Sequence, residues 1–143
     1  MLEKLRKRSA EEEGFTLVEL LVVMLILGIL AAIAIPSFFS QRDKATDAEA
    51  KSSARTAQTA METYATNDAN GEYTAADVAA LVAIEETLVD ADLTVTAAGA
   101  DDYELFATSG TDSTFTVTRE STGATTQTCD PVGEGGCSST GTW

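Results

Sequence analysis

From Leu20 to Ile35 the chain runs sixteen residues, LLVVMLILGILAAIAI, without a charge or a hydroxyl. With Phe15–Glu19 in front the stretch reaches 21 residues, about the length that crosses a bilayer as a helix rising roughly 1.5 Å per residue. This run limits what the chain can be more than any other feature. A mean hydropathy near zero conceals it, because the apolar residues are concentrated at one end. The remaining sequence is polar and acidic, with 23 Asp+Glu against 9 Lys+Arg in 143 residues and a formal charge of −14.

Ahead of the run lies MLEKLRKRSAEEEG, where Lys4, Arg6, Lys7 and Arg8 outweigh Glu3 before Glu11, Glu12 and Glu13 follow. The basic cluster keeps this end on the cytoplasmic side and sends the bulk of the chain outward. Three arrangements fit the pattern: an uncleaved anchor, a secretory signal, or a leader cut ahead of the apolar helix. The secretory reading draws on Ala32-Ile33-Ala34, an A-x-A pattern behind an apolar core. Glu19 opposes it, since a carboxylate inside an apolar stretch is costly and a disposable signal has no use for one.

The residues Gly14-Phe15-Thr16-Leu17-Val18-Glu19-Leu20-Leu21-Val22-Val23, behind a short charged leader and with Pro36 further on, carry a family pattern. The segment resembles the N-terminal motif of type IV pilins and related pseudopilins. The close resemblance covers residues 1 to about 40, and the rest matches in layout alone. It implies that a membrane-embedded aspartyl prepilin peptidase cuts between Gly14 and Phe15, that the new Phe15 amine is N-methylated, and that the apolar helix stays on the mature protein. The expected divisions are a leader over 1–14, a transmembrane and assembly helix over 15–36, and an exported head over 37–143. Glycine at position 14 lets the backbone enter a protease cleft in extended form. Glu19 is expected to pair with the Phe15 amine of a neighbouring subunit, setting register because a mismatched subunit strands both charges in apolar surroundings. The bland alternative is a carboxylate that snorkels to the membrane interface. Gly28 and Pro36 mark places where the helix can bend or open.

Past Pro36 the composition turns polar and alanine-rich. Phe39, Asp43, Thr46, Ala50, Ala54, Ala57, Met61 and Tyr64 recur at spacings of four and three, an apolar stripe from Ala50 onward. One helix from about Phe15 to Thr66 is roughly 78 Å long, and its second half needs a partner. Asn67–Glu72 is turn chemistry. Thr74-Ala75-Ala76-Asp77 has the form of a capping box that starts a short helix near 75–84. Leu93–Thr96, Tyr103–Ala107 and Thr114–Thr118 alternate as strands and predict a three-stranded antiparallel meander. The expected class is α+β, with the small sheet packed on the amphipathic half of the long helix.

Composition narrows the function. With no histidine the chain lacks the commonest general base and the commonest zinc ligand, so His-based triads and nearly all catalytic zinc sites are excluded. An acidic chain has little to offer nucleic-acid phosphates. The acids at Asp101, Asp102 and Glu104 lack the spacing of a recognised calcium loop. Twelve of the 21 residues from Thr108 to Thr128 are Ser or Thr, which suits strands and polar surface. Cys129 and Cys137 are the two cysteines; in an exported domain they suggest one disulfide, the alternative being a metal pair short of ligands. The resemblance here is to the disulfide-bounded C-terminal region of many type IV pilins, a bridge usually absent from pseudopilins.

The expectation is therefore a structural pilus subunit, without catalysis or cofactor, that sits in the inner membrane as a precursor and on the cell surface as a filament. Its partners would be further copies of itself, the prepilin peptidase and methyltransferase, the pilus assembly machinery and, before assembly, membrane lipid. The rivals are a type II secretion pseudopilin or minor pilin, and a membrane-anchored exported binding domain.

Overall fold

A computed structural model describes residues 14–143. The leader ahead of Gly14, with Lys4, Arg6, Lys7 and Arg8, lies outside the described residues. Helix α1 spans Leu17–Asn67, and two compact units divide the chain between Phe39 and Ser40.

In the first unit the described residues are Gly14–Phe39, and every side chain among them is exposed. Among the described residues the apolar run lies in the one helix long and apolar enough to cross a membrane. The helix is unbroken at Gly28 and Pro36. Pro36 brings no N–H to the Ala32 carbonyl, so one intrahelical bond is missing there.

The second unit, Ser40–Trp143, is built from the remainder of α1, a short helix α2 (Val78–Ile84), a 3₁₀ turn (Glu86–Leu88) and four strands. These are β1 (Leu93–Ala98), β2 (Tyr103–Thr108), β3 (Thr114–Arg119) and β4 (Thr125–Asp130), joined in the order β1-β2-β3-β4 with every pair antiparallel. The α+β architecture expected from the pattern is the one observed, with three corrections.

The sheet has four strands, not three. β4 escaped notice because its sequence, TTQTCD, offers one buried side chain, Cys129, in place of an apolar alternation. Gly123, at φ 85°, turns the chain between β3 and β4, a backbone conformation glycine adopts without penalty.

Helix α2 begins at Val78 and is capped by Asp77, whose carboxylate accepts the Ala80 N–H at 2.8 Å. Thr74 is not the cap. It lies within a turn in which Ala76 N–H donates to the Tyr73 carbonyl, and both Tyr73 and Ala76 are buried.

The third correction concerns the residues ahead of the apolar stripe that runs from Ala50 onward: Phe39, Asp43 and Thr46 of the series are not buried, and the buried residue preceding Ala50 is Asp47. Asp47, Ala50, Ala54, Ala57, Ala60, Met61 and Ala65 are buried, whereas Asp43 is exposed. The alanines and Met61 form one core with Leu93, Tyr103, Leu105, Ala107, Phe115, Val117 and Cys129 of the sheet, and with Leu81 and Leu88. The inward residues alternate along β2 and β3 as the pleat requires.

Candidate processing and assembly segment

Gly14, Phe15 and Thr16 precede the first turn of α1 in non-helical backbone. The Gly14–Phe15 peptide thus lies outside the helix, where no intrahelical bond has to open for a protease to take it in extended form. A Cβ on Gly14 would meet nothing within 4 Å, so the intramolecular surroundings place no demand on that glycine. Phe15 is 82% exposed.

Glu19 is held from within its own chain. Its Oε2 accepts the Thr16 N–H at 2.8 Å and the Thr16 hydroxyl at 2.7 Å, while Glu19 N–H donates to Thr16 Oγ1 at 3.2 Å. This reciprocal arrangement is a capping box with Thr16 as the cap, and it satisfies backbone donors that a helix start otherwise leaves open. The Thr-x-x-Glu spacing of this box is visible in the sequence. Glu19 therefore has a local role as the third residue of α1, in addition to any charge it presents to a neighbour.

Two polar clusters organise the second unit. In one, Glu62 of α1 accepts the Tyr73 hydroxyl at 2.8 Å, the Tyr103 hydroxyl at 3.0 Å and Arg119 Nη1 at 3.1 Å. The tyrosine rings meet edge to face at 4.9 Å, and the Arg119 cation lies 5.7 Å from the Tyr73 ring centre. Burial first, then the Glu62 charge and hydrogen bond, push the Tyr103 hydroxyl well above the usual tyrosine range. Burial first, then hydrogen bonding to Glu62, also push Tyr73 up.

The other cluster surrounds Asp47, which is fully buried. Its Oδ1 accepts the hydroxyls of Ser109 and Thr111, each at 2.6 Å, and its Oδ2 accepts the Gly136 N–H at 2.7 Å. Burial pushes this carboxyl up, but the three hydrogen bonds and the nearby Lys51 charge outweigh it and hold Asp47 below the usual carboxylate range. An acid within an apolar stripe looks solvated in sequence, so neither cluster was anticipated.

Cys129 and Cys137 are bonded, with their Cα atoms 5.6 Å apart. Cys129 lies near the end of β4 and Cys137 beyond the loop PVGEGG. Asp101 and Asp102 are exposed, and Glu104 accepts the Thr96 hydroxyl at 2.8 Å across the β1–β2 pair.

A glycine in open backbone, a helix start capped through Glu19, and an exposed apolar helix are the features expected of a prepilin-type N-terminus. Residues 11–35 match the prokaryotic N-terminal methylation motif. Among curated proteins, the chain is similar to the type IV major pilin protein PilA of Myxococcus xanthus (strain DK1622), 41% identical over 56 residues, 39% of this chain and 26% of that one. It is likewise similar to the type II secretion system core protein G of Pseudomonas aeruginosa, 41% identical over 54 residues, 38% of each chain. A third relative is the fimbrial protein of Moraxella nonliquefaciens, 42% identical over 69 residues, 46% of this chain and 45% of that one. The chain thus spans between 26% and 45% of the length of these relatives.

Proposed function

We propose that the chain is a structural subunit of a type IV pilus filament, made as an inner-membrane precursor, cut after Gly14, N-methylated at Phe15 and polymerised through its apolar helix. The observation that carries this reading is the methylation motif overlying the start of a helix whose large apolar side chains, from Leu17 to Phe39, are all exposed. Such a surface needs lipid before assembly and copies of itself afterwards, because exposed apolar area on this scale is strongly disfavoured in water. Repetition of one contact along a non-closing rotation gives a helical filament on the cell surface. Cleavage frees a cationic amine on Phe15, which Glu19 of a neighbour meets at the correct height, so the carboxylate sets register. The working partners are further copies, the prepilin peptidase and methyltransferase, and the pilus assembly machinery. The role is architectural, with no catalysis, cofactor or nucleic acid involved.

The similarity to type II secretion core proteins favours a second reading, a pseudopilin of a type II secretion system. The disulfide of the second unit leans toward the pilus.

The mass of the mature N-terminus tests the processing. A chain beginning at methylated Phe15 supports the proposal, whereas one beginning at Met1 or at Ile35 overturns it in favour of an anchor or a secreted domain. Glu19→Val is expected to insert and be cleaved yet fail to build ordered filaments, and normal filaments from that variant would refute the register role.

A further inference from the structure

The loop 131–136 between β4 and Cys137 belongs to no strand or helix, yet α1 grips its last residue from both sides. Asp47 Oδ2 accepts the Gly136 N–H, and Lys51 Nζ, one turn further along α1, donates to the Gly136 carbonyl. Asp47 is itself fixed, because Ser109 and Thr111 of the β2–β3 connection hold its other oxygen. The loop is shaped for this approach. A Cβ on Gly135, whose φ is 53°, would collide with Asp47 Oδ2, and a Cβ on Gly136 would stand 2.9 Å from Asp47 Cβ and 3.2 Å from Lys51 Nζ. The Gly135-Gly136 pair is therefore the space the carboxylate and ammonium need, and Cys137 follows it directly.

We infer that Asp47 and Lys51 form a non-covalent latch that holds Cys137 beside Cys129 whether or not the disulfide is closed, making them positioning residues for its closure. With glutathione disulfide as oxidant, one cysteine thiolate attacks a glutathione sulfur and expels one glutathione thiolate. The second cysteine, as thiolate, then attacks the mixed disulfide and expels the other. The protein gives up two protons and two electrons, and the oxidant becomes two thiols. The second step is intramolecular, so its equilibrium depends on how much of the time the two sulfurs are held within reach. A Gly-rich loop left to itself spends little time in one arrangement. The latch removes that freedom before the bond forms.

The test is the effective concentration of the two thiols, measured on the full chain in detergent micelles equilibrated with reduced and oxidised glutathione, trapped by alkylation and read by mass. Asp47→Asn and Gly136→Ala are expected to lower it about tenfold, and Lys51→Met several-fold, relative to the unaltered chain. Leu81→Ala, which removes a core side chain with no part in the latch, should weaken the head yet leave the effective concentration in the folded protein unchanged. If Asp47→Asn does not fold, Lys51→Met and Gly136→Ala decide, since both retain the Asp47 carboxylate to which Ser109 and Thr111 donate. Unaltered effective concentrations in those two variants, or an equal loss in Leu81→Ala, would overturn the latch.

Discussion

Removing the Glu62 carboxylate should cost the second unit more than any single charged contact on its surface. The ion pair with Arg119, at 3.1 Å and with side chains 28% and 41% exposed, contributes at most about 1 kcal/mol. The two phenol hydroxyls matter more. Tyr73 and Tyr103 are 4% and 1% exposed and both donate to this one carboxylate. A hydrogen bond to a charged group is worth about 1.5–3 kcal/mol, and a buried donor left without its acceptor forfeits a similar amount. Water can reach the partly exposed side of the cluster, so the lower figure applies to each hydroxyl, and Glu62→Ala should cost roughly 3–4 kcal/mol in all. At about 4 °C or more per kcal/mol for a domain of this size, Tm should fall by at least about 12 °C. The assay is urea and thermal unfolding of the full chain in micelles, followed by near-ultraviolet dichroism of the tyrosines and Trp143. A double-mutant cycle with Tyr103→Phe isolates the shared part: the two losses should sum to clearly more than the loss in the double variant. A cost under about 1 kcal/mol for Glu62→Ala, or losses that add within about 0.5 kcal/mol, would refute the reasoning.

Two further outcomes are expected of the second unit. A tyrosine whose folded pKa is raised keeps its stabilising contribution below the unfolded value of 10.0 and loses it as pH climbs toward the folded value; urea midpoints should therefore be insensitive to Tyr103 near neutrality and fall above about pH 10, with Tyr103→Phe removing most of that fall. Asp77→Ala deletes the cap of α2 and should cost about 1 kcal/mol, read as faster amide exchange at Ala80, whose N–H loses its acceptor.

Much of this architecture was visible in the residues wherever burial and apolarity coincide. The apolar run predicted a helix over 15–66 and α1 spans Leu17–Asn67, because nothing else accommodates that composition. Alternating apolar residues marked the first three strands for the same reason. The signal failed where polar residues are buried or where strands lack apolar side chains. β4 presents Thr125, Gln127 and Cys129 to the inner side, and its strand character comes from pairing with β3 more than from its own burial. Asp47 and Glu62 are unreadable as hubs because their partners lie 11 to 89 residues away in sequence, and no local spacing announces a contact of that range. Thr16 is the opposite case: its partner Glu19 stands three residues away, and the Thr-x-x-Glu spacing is legible in the sequence.

The buried face of α1 in the second unit holds five alanines among its seven residues, the others being Asp47 and Met61. The helix therefore supplies little side-chain volume, and the bulk of the core comes from Tyr103, Leu105, Phe115, Val117, Leu81 and Leu88. Tolerance to substitution should be lopsided as a result. A strand residue exchanged for a smaller one leaves a void whose flexible neighbours are large enough to shift into it. A methyl or two added at Ala54 or Ala57 meets a face already filled from the opposite side, where the only relief is displacement of backbone. The half of the core that looks plainest in sequence is thus the half with the least room to vary.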